Sequence, residues 1–152
     1  MKKDFVRDYA TEAFRTYAAM GNPTYEDAKK AIYQNALDEC NFKNPEIASL
    51  AAEKAVTELT PLLLDILAVE KTLEMLESGE KTNIVSAVRD VYFTRPAMPL
   101  RRGDVSSRVR RFCLLNFVSE RNVYSWLKEA RLLFAAVRGL RTPPCEKNKS
   151  LQ

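Results

Sequence analysis

An all-α fold is what this sequence predicts, and three observations carry the prediction. Apolar residues recur at intervals of three and four along most of the chain, which places them on one face of an α-helix. Helix-start residues stand just ahead of these stripes, at Thr24, at Asn44-Pro45-Glu46 and at Ser119. No stretch reads as a strand, and no internal repeat or glycine-rich phosphate loop stands out. The pattern predicts an acidic N-terminal helical bundle followed by a basic tri-helical unit, about seven helices in all.

Residues 3–20 suit a first helix, with Phe5, Tyr9, Ala13, Phe14 and Tyr17 on an aromatic-rich face that reads as packed core. Gly21-Asn22-Pro23 ends it. Thr24 caps a second helix over about 25–40, with Asp27 three residues on as an approximate capping box; Ala28, Ile32, Ala36 and Leu37 line it. Asn44-Pro45-Glu46 supplies an N-cap, a first-turn proline and an early acid for a third helix running to about Thr60. Pro61 either kinks that helix or begins another capped by Thr60. Leu59, Leu62, Ile66, Val69, Leu73 and Leu76 then form a heptad seam, widened by Leu63, Leu64 and Leu67. The seam fits the core of a bundle and leaves room for a homodimer. Ser78-Gly79-Glu80-Lys81 reads as a boundary. Thr82 suits the cap of a helix over 83–93, with Ile84, Val88, Val91 and Tyr92 inward. Arg95-Pro96-Ala97-Met98-Pro99 follows as a rigid loop.

The net charge of +4 conceals a segregation. Residues 1–80 hold nine Lys and Arg against fifteen Asp and Glu, a balance of −6, and residues 81–152 hold fifteen against five, a balance of +10. A basic half set apart in this way favours a polyanionic partner. The expected division is therefore 1–80, an acidic bundle for oligomerisation or interaction; 81–141, a basic binding domain; and 142–152, a disordered polar tail. The chain has no histidine, which removes His-based acid–base catalysis, serine-type triads and His–Cys zinc sites. Cys40, Cys113 and Cys145 form no C-x-x-C pair and read as reduced thiols of a cytoplasmic protein, with Cys113 a small core residue. The start, MKKDFVRDYA, lacks the apolar run of a signal peptide, and the greasy stretch 62–69 contains Asp65 and is too short to span a bilayer, so no membrane partner is expected. Carboxylates are plentiful, but none is paired by spacing or accompanied by a nucleophile. No enzyme activity, metal or cofactor is expected.

The stretch 101–141 organises the basic half. It reads as two helices joined by a tight turn. In the first, Val105, Val109 and Phe112 form the inner face, and Asp104 near its start suits the helix dipole. Arg108, Arg110 and Arg111 fan out around the other sides, preceded by Arg101 and Arg102. In the second, Ser119 is the N-cap and Gly139 the C-cap, and Val123, Leu127, Ala130, Phe134 and Val137 make one apolar stripe with Trp126 on its edge. At about 100° per residue, Arg121, Ser125 and Lys128 point away from that stripe, and Asn122 and Tyr124 flank them. A recognition helix needs this division, with one face packed on the domain and another able to reach base edges. Arg121, Asn122, Ser125 and Lys128 are the expected base readers. Arg101, Arg102, Arg108, Arg110, Arg111, Ser119, Tyr124 and Arg131 are the expected phosphate contacts.

The run Phe112-Cys113-Leu114-Leu115-Asn116-Phe117-Val118-Ser119, followed by Asn122-Val123 and Leu127, resembles the bacterial helix-turn-helix pattern I-A-x-x-L-G-I-S-x-x-T-V-x-x-x-L. Ser119, Val123 and Leu127 fall on matching positions, and Cys113 stands for alanine. Phe117 stands where glycine is usual and Asn116 where leucine is usual, which predicts a turn longer than the pattern's or differently shaped. The stretch also resembles region 4 of sigma-70-type factors and the late-gene activators of Gram-positive phages (the ArpU/RinA type), over about the last 60 residues ahead of the tail. No counterpart of the promoter-melting sigma domain stands upstream. The resemblance implies a helix-turn-helix transcription regulator of phage or mobile-element type, with duplex DNA as partner and RNA polymerase as a second one. A DNA-packaging or assembly module and a non-catalytic protein-interaction adaptor are the alternative expectations.

Overall fold

Helix formation follows the sequence signals with few departures. The structure, a computed structural model, describes residues 3–40 and 44–141. Among these residues it contains seven helices and no strand: α1 (Phe5–Ala19), α2 (Tyr25–Glu39), α3 (Pro45–Glu58), α4 (Thr60–Ser78), α5 (Thr82–Tyr92), α6 (Asp104–Asn116) and α7 (Glu120–Arg138). No described helix is long and apolar enough to cross a membrane. The tail expected over 142–152, with Cys145, lies outside the described residues.

Three N-caps act as the sequence predicts. The side chains of Thr24, Asn44 and Ser119 accept from the backbone N–H groups of Asp27, Glu46 and Asn122. Asp4 does the same for Arg7 at the start of α1. Two expected caps are not caps. Pro61 does begin a new helix, but Leu59 stands at the cap position and the Thr60 hydroxyl donates back to the Val56 carbonyl. Thr82 is already helical, with Lys81 ahead of it and no side-chain cap bond. In both places the preceding helix ends so close by that the next begins without an extended residue to carry a capping hydroxyl.

The division expected at residue 80 is not a break in the core. One apolar cluster takes Ala10, Phe14 and Tyr17 from α1, Leu63, Ile66, Val69 and Leu73 from α4, Val88, Val91 and Tyr92 from α5, and Val123, Leu127, Ala130 and Phe134 from α7. The Phe14 ring sits at its centre, stacked on Tyr92 at 5.8 Å and tilted against Phe134 at 5.7 Å. Charge changes sign at Glu80 on the surface, whereas packing follows the apolar faces, and these interlock across that point. Residues 79–81 are only a tight turn, with Glu80 at φ 59° and the Lys81 N–H donating to the Leu76 carbonyl at 2.8 Å. The heptad seam is likewise spent mostly inside the chain. Ile66, Val69, Leu73 and Leu76 are all buried, whereas Leu59 at the start of the seam and Leu64 beside it stay exposed. The hairpin of α2 and α3 packs more lightly, burying only Ala28 and Ala52. The Tyr25 N–H donates to Glu70 and ties its first helix to α4.

Two polar clusters lock the helices together. The Arg15 side chain of α1 is only 4% exposed. Its guanidinium donates to the carbonyls of Tyr92, at 2.9 Å, and of Thr94, Arg95 and Met98. These are the last carbonyl groups of α5 and those of the loop beyond, which lack helical donors. A cation there also meets the negative end of the helix dipole. Burial, and then the neighbouring Arg108 charge, push the Arg15 guanidinium below the ordinary arginine range. It stays charged, because arginine does not lose its proton in proteins. The second cluster is half-buried. Asp65 of α4 accepts from the Tyr9 hydroxyl of α1 and from Arg138 Nε of α7, each at 2.7 Å. Its hydrogen bond is the main reason that the Arg138 guanidinium is held above its usual range.

Arg15→Met keeps the apolar stem and removes the donors, leaving several carbonyls unpaired. Stability is expected to fall by about 3–5 kcal/mol, read as a shift of the urea midpoint. A loss below about 1 kcal/mol would contradict the role given to this side chain.

Candidate nucleic-acid interface

The α6–α7 corner is built from a few apolar contacts and one tight turn. Val109 and Phe112 are buried beneath α6, and Val123, Leu127 and Ala130 beneath α7. Phe112 meets the half-buried Trp126 edge to face at 6.4 Å. Only Phe117, Val118 and Ser119 separate the two helices. The longer or reshaped turn predicted from Phe117 does not occur. Phe117 adopts the left-handed conformation that glycine usually supplies, at φ 56° and ψ 45°, and the Val118 N–H donates to the Cys113 carbonyl. A side chain at such an angle costs about 1–2 kcal/mol. The Phe117 ring offsets none of this by packing, since it is 95% exposed.

Nine Lys and Arg stand against three Asp and Glu over 101–138, a balance of +6. Three of the nine are turned inward. Arg108 donates to the Val91 carbonyl at 2.8 Å, Arg131 to the Tyr92 hydroxyl at 2.7 Å, and Arg138 to Asp65. The first two were expected to hold phosphates; here the Val91 carbonyl takes an N–H from Arg108 and the Tyr92 hydroxyl takes one from Arg131. Arg101, Arg102, Arg110, Arg111, Arg121 and Lys128 remain exposed. Arg110 lies 3.6 Å from Glu120, a pair exposed enough to give way to another anion.

The expected base readers divide in the same manner. Arg121, Ser125 and Lys128 fall within about 60° of one another on the outer side of α7, and all three are exposed. Ser125 and Lys128 border a shallow groove shared with Glu129, Leu132 and Leu133. Glu129 is paired with Lys81 at 3.2 Å. Asn122 is also exposed but stands about 100° round the helix from Arg121. The Ser119 hydroxyl accepts the Asn122 N–H at the start of the helix. Tyr124 and Arg131 lie on the opposite flank, where they line a cleft with Arg7, Glu12 and Tyr92 facing α1. Arg131 is turned away from the surface of Arg121, whereas the exposed Tyr124, about 60° round the helix from Arg121, stands at the border of the two.

Sequence reasoning missed one group here. Leu114, Leu115 and Phe117 are three exposed apolar side chains within four residues, at the end of α6 and in the turn after it. The signal was present, because both leucines fall outside the Val105, Val109, Phe112 spacing. Cys113 packs against the core, and its thiol is pushed up by burial and then by Glu120, away from the reactive thiolate. Among the described residues no three His, Cys, Asp or Glu side chains are placed to share a metal ion.

Phe117→Gly removes the left-handed strain of about 1–2 kcal/mol and adds about 0.5–1 kcal/mol of chain entropy. A net gain of roughly 0.5–1 kcal/mol is expected, read as a higher melting temperature. A loss of stability would show that the ring is held by contacts the turn depends on.

Comparison with known proteins gives no match, whether to family models, to curated proteins or to solved structures.

Proposed function

We propose that this protein is a helix-turn-helix transcription regulator of phage or mobile-element type that binds duplex DNA, with the first half of α7 in the major groove. One observation carries the reading: six cationic side chains on and just ahead of α6 and α7 stay exposed, beside the outer face of a helix whose other face is core. Arg101, Arg102, Arg110 and Arg111 hold phosphates on either side of the groove. Arg121, Ser125 and Lys128 read base edges, with Arg121 suited to a bidentate contact on guanine. Asn122 contacts the flank of the groove. The Ser119 cap directs the first free N–H groups of α7 toward a phosphate. The resemblance to sigma region 4 adds RNA polymerase as a further partner in this proposal.

The test is selection of bound duplexes from a random pool, followed by two variants on the selected site and on scrambled DNA at one salt concentration. Arg121→Ala is expected to cost about 1–3 kcal/mol on the selected site and to relax preference at one base pair. Arg111→Ala should weaken both DNAs alike. If neither variant loses affinity, α7 does not enter the groove, and the adaptor reading takes its place.

Salt provides a second check. With four arginines free for phosphates, log affinity should fall with log salt at a slope of about −3.5. Affinity insensitive to salt would contradict the four assignments.

A further inference from the structure

Two surface patches remain whose apolar centres neither the core nor the DNA reading uses. The first is the end of α6, where Phe117 is 95%, Leu114 78% and Leu115 64% exposed. At about 100° per residue Leu114 stands roughly 160° from the buried Phe112, with Arg110 and Arg111 on either side of it. Three large apolar side chains within four residues, two of them the most exposed in the described chain, are unlike the scattered single residues of an ordinary surface. The second patch is on α3, where Leu50 is 66% and Ile47 44% exposed. Leu50 stands about 160° from the buried Ala52. Glu46 and Glu53 border this pair on one side, and Lys54 stands in line with it one turn on, paired with the exposed Glu58 at 3.9 Å.

The patches are opposite in charge and alike in their apolar centres. They cannot meet within one chain, since α6 packs on α5 and α7 whereas α3 packs on α2 and α4. Nor does the α6 patch suit itself. A two-fold contact through it would set Arg110 and Arg111 of both copies face to face. A head-to-tail contact avoids this repulsion and buries both apolar centres.

We infer that the protein associates with further copies of itself head to tail, the Leu114–Leu115–Phe117 end of α6 in one copy seating on the Ile47–Leu50 face of α3 in the next. The contact is heterologous, so each copy keeps one free patch of each kind and the assembly grows as a chain or closes as a ring. The left-handed Phe117 fits this role, because the backbone strain holds the ring out from the turn into the contact. The contact does not require the DNA reading, but it shares Arg110 and Arg111 with it, so a copy whose α6 end is seated on the next has those two arginines closed to phosphates.

Sedimentation velocity on the full chain without DNA, from about 1 µM to about 1 mM, tests it over the range of weak interfaces. Two variants are compared with the wild type, Leu50→Arg and the pair Leu114→Asn with Phe117→Asn. All these positions are exposed, and unchanged helix content and melting behaviour confirm the fold. The wild type is expected to grow in average mass with concentration, passing beyond a dimer. Each variant alone should stay monomeric. Mixed in equal amounts, the two should form a dimer and nothing larger, because only one intact pair of patches remains. A wild type that stays monomeric throughout overturns the inference. So does a Leu50→Arg variant that associates like the wild type, which would place the contact on α6 alone, and so does a mixture that stays monomeric. If the α6 variant loses affinity for duplex DNA while the wild type is monomeric, the patch belongs to the DNA surface instead.

Discussion

The burial of Arg15 fixes the relation between the two halves of this chain. A guanidinium taken out of water is costly unless its donors are used. Here they go to carbonyls at the end of α5 and in the loop after it, groups that would otherwise be unpaired beneath α1. The same contact therefore ends α5, shapes the loop over 93–100 and sets the point from which α6 departs. Arg108 reinforces it from the other side through the Val91 carbonyl. The Asp65 cluster plays the matching part for α7, binding its last turn to α1 and α4. The candidate interface is thus carried on a scaffold whose acidic half is structural support as well as surface.

Much of this was legible in the sequence, and the reasons differ by element. The seven helices, the stripe at Val123, Leu127, Ala130 and Phe134, and the caps at Thr24, Asn44 and Ser119 all rest on interactions within four residues, which a linear reading captures. The single core was not legible. Charge changes sign near Glu80, but Phe14 and Tyr92 stack across that point from positions 78 residues apart in sequence. The role of Arg15 was hidden for a related reason, since an arginine beside an aromatic face reads as a solvated neighbour until its carbonyl partners are brought to it.

The candidate site was legible in part. Periodicity placed Arg121, Ser125 and Lys128 opposite the apolar stripe, and they share one exposed face. Periodicity could not reveal that Arg108 and Arg131 are engaged by Val91 and Tyr92, because those bonds depend on how α5 lies against α6 and α7. The turn shows the limit of pattern matching from the other direction. Phe117 keeps the glycine-like angle of the helix-turn-helix pattern without being glycine. The departure from the pattern is therefore a difference in what the turn presents, and not in how it folds.

The central claim is that duplex DNA sits on the α6–α7 corner and nowhere else. The most direct measurement is a nuclear magnetic resonance titration of the full chain, isotopically labelled, with a short mixed-sequence duplex at low salt. At a protein concentration where the chain is monomeric, the account predicts backbone amide shifts confined to residues 101–103, 110–111 and 119–128, with α2 and α3 unmoved. Shifts centred on the α2–α3 hairpin, or none at an excess of DNA, would contradict it.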